Sequence, residues 1–140
     1  EVTLFATSGF LGALVPLLLP ADAVPELLSR LQLSPSALCV AIVLVMAGFS
    51  VVGVNSMVTA TLLVGSLAHS PVAGLSSLKL VITTVGAWSL SNGVSPLNSS
   101  MVILGSVMQR PSETITIKWN GVFAVTTLAL FCVAIYFLPV

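Results

Sequence analysis

Two clusters of small polar residues lie inside otherwise apolar sequence, and their residue types and spacing are suited to holding a solute. The first is Gly48-Phe49-Ser50-Val51-Val52-Gly53-Val54-Asn55-Ser56, with Thr59 and Thr61 just beyond it. The second is Ser91-Asn92-Gly93-Val94-Ser95-Pro96-Leu97-Asn98-Ser99-Ser100. Gly, Pro, Asn and Ser at the centre of an apolar run interrupt a helix. An interruption frees backbone amides, carbonyls and side-chain oxygens to meet a solute. The amino end of a half-helix offers partial positive charge to an anion, whereas unwound carbonyls and hydroxyls suit a small cation such as sodium, and no full charge is needed. The residues expected to face substrate or ion are Asn55, Ser56, Thr59, Ser95, Pro96, Asn98 and Ser99, with a sodium ion near Asn55 and Asn98 as the one cofactor. The plainer reading, that small residues simply let helices pack closely, suits Gly86 and Gly93, seven apart on one face. It accounts poorly for Asn55, Asn98 and Pro96, which add polar or unpaired backbone without aiding contact.

Other reactive residues carry weaker signals. His69 is the sole imidazole and stands close to a segment end, where a polar tip at an interface is the commoner role. Ser50 follows Gly48, but Val52 replaces the glycine that a nucleophile elbow needs, so no hydrolase and no enzyme of any kind is expected. Asn98-Ser99-Ser100 matches a glycosylation sequon inside an apolar run that no glycosylating enzyme reaches. Cys39 and Cys132 sit singly in apolar runs and read as small core residues.

The elements that must position the two clusters are helices. A first run, 4–20, is a short span interrupted by Gly9, Gly12 and Pro16. In 21–36, Asp22, Glu26 and Arg30 recur at i, i+4 and i+8 among Val24, Leu27, Leu28 and Leu31, the pattern of an amphipathic helix lying at an interface. The stretch 37–69 is too long for one straight crossing and is polar in its middle, so it reads as a re-entrant hairpin whose turn must line protein or water. The stretch 75–108 is again too long and again broken, with Pro96 ending a helix over 76–92 and Asn98 and Ser99 opening a second half-helix. Lys79, a turn or so into that run, can reach the interface with its long stem. A polar connector, 109–118, leads to an ordinary span, 119–138, with Trp119 and Tyr136 as interface anchors.

Composition sets the solvent. The chain is 57% hydrophobic and 6% charged, outside the range of an ordinary water-soluble domain, so the fold class expected is an all-α membrane protein. Four Lys plus Arg balance four Asp plus Glu, which excludes nucleic acid as a partner. The chain opens on Glu1 without a visible signal peptide and reads as part of a longer protein. Arg30 and Lys79 fall on one side of the bilayer and Arg110 and Lys118 on the other, so charge gives no orientation.

The order of a hairpin with an Asn-Ser tip, a long helix broken at Ser95-Pro96-Leu97-Asn98-Ser99, a connector and a last span resembles the ion transporter superfamily. That group includes divalent anion:sodium symporters, arsenite-type permeases and some sodium/proton antiporters, built from two inverted repeats, and the chain is similar to the C-terminal repeat over most of its length. The dicarboxylate branch carries Ser-Asn-Thr at the tip and Thr-Pro-Pro-Asn at the break. The counterparts here are Asn55-Ser56 leading to Thr59-Ala60-Thr61, and Ser95-Pro96-Leu97-Asn98 with Leu97 in place of a proline. The resemblance implies secondary active transport of a small, dicarboxylate-like anion or organic acid, coupled to sodium or protons by alternating access. It further implies a midplane site shared with an N-terminal repeat, a homodimer, and residence in the lipid bilayer of a bacterial inner (plasma) membrane. The hairpin would enter from outside, leaving 109–118 cytoplasmic and the C-terminus outside. A different expectation is a structural or assembly subunit of a membrane complex with no transport site of its own.

Overall fold

The computed structural model describes residues 33–68 and 74–139, together with Phe10, Leu14 and Arg30. The expected first span, most of the expected interface helix and His69 lie outside those residues. All regular structure among the described residues is helical: α1 (Pro35–Val51), α2 (Ser56–Ala68), α3 (Ser77–Val94), α4 (Ser99–Met108), a π-helical turn (Thr114–Trp119) and α5 (Gly121–Phe137).

Local chemistry sets the starts of these helices. Ser34 is the N-cap of α1, its Oγ accepting from the Ala37 amide at 3.2 Å, and Pro35 follows at the first helical position, where a missing N–H removes nothing. Pro35 and Ser36, the last two residues of the stretch expected as the interface helix, therefore belong to α1. Ser76 caps α3 in the same way, accepting from the Lys79 amide at 3.1 Å. In the body of α3, Thr83 and Thr84 return their hydroxyls to the carbonyls of Lys79 and Leu80 at 2.7 and 2.8 Å, which satisfies them where water is absent.

Side-chain bonds at both ends fix the topology. Lys79 Nζ, buried, donates to Ser36 Oγ at 3.0 Å near the start of α1. Ser50 Oγ donates to the Ser91 carbonyl at 3.0 Å near the ends of α1 and α3, so these two helices run side by side in the same direction. Lys79 Nζ also donates to the Leu138 carbonyl at 2.7 Å, just past the end of α5, and Asn120 Nδ2, just before its start, donates to the Gly93 carbonyl at 3.1 Å. Helix α5 is thus antiparallel to both. An ammonium on the terminal carbonyls of a helix also complements its dipole. Helix α2 doubles back along α1, bringing Leu67 into the core formed by Leu38, Ile42, Val43, Met46 and Ala87. Gly86 leaves room on α3 for α5: any Cβ there would collide with the ring of Phe131. For Gly86 the plain packing role is the one observed.

Lys79 does not extend to an interface as its long stem suggests; it is 4% exposed, and its ammonium joins three helix ends. The connector also differs from a plain polar loop. Helix α4 ends in a Schellman motif with Gln109 left-handed at φ 52°, the Arg110 amide reaching Gly105 O at 3.0 Å and the Gln109 amide Ser106 O at 3.4 Å. The π-helical turn follows, burying Ile115 and Thr116, and the Asn120 amide closes it on Ile115 O at 3.0 Å. Trp119 belongs to this turn, so the last helix is shorter than the run 119–138.

Helices α1 and α5 have 17 residues each, about 25 Å at 1.5 Å per residue. Among the described residues no helix is long and apolar enough to cross a membrane. Large apolar side chains nevertheless face outward on every helix, among them Leu44 and Phe49 of α1, Val81 and Val85 of α3, and Val122, Phe123 and Phe137 of α5.

Candidate functional site

The helix is abandoned twice, more briefly than the two polar clusters suggest. Helix α1 continues through Gly48 and Ser50 to Val51, and only residues 52–55 form the hairpin turn. Gly53 adopts φ +98°, a conformation open to glycine, and a Cβ added there would meet Leu97 Cδ1 at 2.6 Å. Helix α3 likewise runs to Val94, two residues beyond the expected stop, leaving the break to residues 95–98. Serine and asparagine are compatible with helix, so the winding of α3 persists until just before Pro96, whose ring and missing N–H stop it.

The hairpin turn and the break meet. Ser50 Oγ and Ser56 Oγ are 3.1 Å apart, Ser50 Oγ donates to Ser91 O, and Ser56 Oγ donates to Asn92 Oδ1 at 3.2 Å. Asn98 Nδ2 donates to Asn92 O at 3.1 Å, drawing the start of α4 against the end of α3. Ser50, Ser56 and Ser91 are buried, and the Ser91 hydroxyl has no partner among the described residues. These bonds surround one wall of a cavity of about 600 Å³ between hairpin and break, a size typical of small-molecule sites.

Two half-helices begin on this cavity. Asn55 precedes α2 and accepts from the Met57 amide at 2.9 Å; Asn98 precedes α4 and accepts from the Ser100 amide at 3.3 Å. Both asparagines are therefore N-caps, and their side-chain oxygens are engaged by their own helices. What they leave at the cavity is the positive end of each dipole. Of the residues named from sequence, Asn55, Ser56, Ser95, Asn98 and Ser99 line the cavity. Thr59 and Pro96 are buried off its wall, and the Thr59 hydroxyl lies over Asn55 O at 3.5 Å within its own helix. Ser50, Asn92 and Trp88 also line the cavity and were missed. Asn92 sits in the second polar cluster, but nothing in its spacing separates a helical Asn aimed at the site from one facing outward.

The cluster contains an imbalance. Ser50 and Ser56 carry one hydroxyl proton each, yet their contacts with each other, with Ser91 O and with Asn92 Oδ1 call for three. Turning the Asn92 amide so that Nδ2 donates to Ser56 Oγ balances the set, with Ser56 donating to Ser50 and Ser50 to Ser91 O.

No protein-family model, curated protein or solved structure matches this chain.

Proposed function

We propose that this chain is one half of a secondary active transporter, the half corresponding to a C-terminal inverted repeat, moving a small organic anion with sodium or protons. The observation that carries the reading is the meeting of two separate interruptions, hairpin turn and helix break, around one cavity onto which two half-helix amino ends open. The anion binds those ends, and sodium binds among the clustered oxygens of Ser50, Ser56, Ser91 and Asn92. In support of a bilayer as the solvent, exposed apolar side chains cover the outward faces of α1 and α5. Helices of about 25 Å meet a hydrocarbon core of roughly 30 Å by local thinning and flanking residues. A bacterial inner membrane, a homodimer and an N-terminal repeat closing the open side of the cavity complete the proposal.

The test is uptake of labelled organic acids by the full-length protein in sealed vesicles under an imposed sodium or proton gradient. Gradient-driven accumulation is expected, and Ser50→Ala, which removes an oxygen ligand without removing a cap, weakens its dependence on sodium. Folded, inserted protein that accumulates no anion under either gradient overturns the reading.

The assembly-subunit reading has one observation in its favour: Asn55 and Asn98 both have a structural task as caps. Under it, purification yields a stable complex with a second protein, and neither anions nor sodium raise its melting temperature.

A further inference from the structure

A second group of hydrogen-bond donors lies at the opposite end of the bundle from the cavity, where α1 and α3 begin and α5 ends. At its centre is the Lys79 ammonium, which is 4% exposed and donates to Ser36 Oγ at 3.0 Å and to Leu138 O at 2.7 Å. Both acceptors are neutral. An ammonium has a third N–H, and here it has no acceptor, nor the charge a carboxylate, among the described residues. The one carboxylate side chain among those residues is Glu113. It precedes the π-helical turn, beyond the start of α5, so the 17 residues of that helix, about 25 Å, separate it from Leu138. Burying an ammonium without a counter-charge is costly, and buried charges are as a rule paired.

The surroundings add donors rather than acceptors. Ser34 and Ser76 use their hydroxyls as caps on the Ala37 and Lys79 amides. The amides of Ser36, Ser77 and Leu78 come before the first helical bonds and have no partner among the described residues. Ser36 Oγ accepts from Lys79 and keeps its own proton to give. The two amino ends contribute roughly half a positive charge each and the carboxyl end of α5 offsets roughly half, so the ammonium and the helices together leave more than one positive charge unbalanced. Ser34 and Ser77 are exposed and Ser36 is half-buried, so the group is reached from outside although Lys79 is buried.

From the unpaired ammonium among these donors we infer that the starts of α1 and α3 bind a phosphate group, with Lys79 supplying the countercharge. A tetrahedral oxyanion presents oxygens in several directions, as the donors of two helices and one side chain require. A carboxylate, with two oxygens in one plane, leaves part of the set unused. The phosphate is that of an anionic lipid headgroup or a free ion, and the chemistry is the same for both. The site is remote from the cavity and does not depend on the proposed transport.

The experiment uses the full-length protein, delipidated in a neutral maltoside detergent, and reads melting temperature and calorimetry with inorganic phosphate, chloride and phosphatidylglycerol. Phosphate or phosphatidylglycerol is expected to raise the melting temperature, and chloride to raise it less. A gain from phosphatidylglycerol alone assigns the site to a lipid headgroup, and a gain from inorganic phosphate extends it to the free ion. Lys79→Met weakens binding at least about tenfold, as loss of a charge-assisted hydrogen bond requires. Because that change also removes structural bonds, Ser77→Asp is the second variant. It puts a carboxylate at the first residue of α3, where the dipole favours it, and should raise the melting temperature without added anion while removing the anion's effect. Arg110→Gln combined with Lys118→Gln, on the connector, leaves the effect in place. The inference is overturned if neither phosphate nor phosphatidylglycerol stabilises the protein, or if chloride does so equally. It is overturned as well by an effect that survives both Lys79→Met and Ser77→Asp, or one that disappears with the connector charges. Transport by the cavity stands in each of these cases.

Discussion

Replacing Asn55 by Asp separates a capping role from a solute-facing one. Asp is as good an N-cap as Asn, so the bond to the Met57 amide is kept, and a carboxylate at a helix start adds about 0.3–1 kcal/mol of dipole stabilisation. Asn55 is exposed and lines the cavity, so the same change puts a negative charge on the cavity wall. A sphere with the cavity's volume of about 600 Å³ has a radius of about 5 Å, a fair separation between the new carboxylate and a centred anion. At 5 Å the repulsion is about 0.8 kcal/mol in water and about 3.3 kcal/mol at an effective dielectric constant of 20. The open mouth places the site between these limits, so anion affinity should fall by about 1–3 kcal/mol, from about fivefold to about 150-fold. Thermal melting without ligand should show Asn55→Asp at or slightly above the parent, and calorimetry with an organic acid that the full-length protein takes up should show the loss. Asn55→Ala gives the reverse pattern, a stability loss of about 1 kcal/mol from the missing cap with a smaller change in affinity. Asn55→Asp binding anions within twofold of the parent would refute the placement of an anion at the start of α2.

Further substitutions test the architecture, each read by thermal or denaturant melting. Gly86→Val should destabilise by about 1–3 kcal/mol because its side chain enters the space held by the Phe131 ring. Adding Phe131→Ala should recover part of that loss, and strict additivity would show that the two do not meet. Lys79→Met should lower stability by about 2 kcal/mol through the lost bonds to Ser36 Oγ and Leu138 O, and an unchanged melting temperature would show that the buried ammonium does not hold the three ends together. Gln109→Gly should raise stability by about 0.5–1 kcal/mol, since Gln at φ 52° bears a strain that glycine lacks; a decrease would contradict that backbone conformation.

How much of this was legible in the sequence depended on whether a residue's local chemistry decided its role. The two breaks were visible because Pro96 removes a backbone donor and Gly53 and Asn55 favour the turn and cap conformations they adopt. Their extent was overestimated because Ser50 and Ser91 are compatible with helix, and tertiary contacts between them keep the final turns wound. Asn55 and Asn98 were singled out for a polarity that capping explains at least in part, an effect the rule for helix starts could have supplied. Lys79 was misplaced because sequence shows a long cationic stem near a helix start but not the end of α5 that comes to meet it. Trp88 carried no signal in advance: an aromatic residue at helical spacing lines a core, a lipid face or a cavity equally well.

The π-helical turn sets the phase of the last helix. Its bonds skip one residue more than an α-helix does, so Thr114–Trp119 holds a residue that an ordinary helical turn would not accommodate. Excising one residue from that turn and letting the ladder revert would swing α5 by about 100° around its own axis. The Phe131 ring would leave the notch at Gly86, the Asn120 amide would lose the Gly93 carbonyl, and a different stripe of α5 would face α3. A single inserted position thus acts as a rotational stop, aligning a helix with few polar markers of its own so that its aromatic side chain falls at the gap left for it.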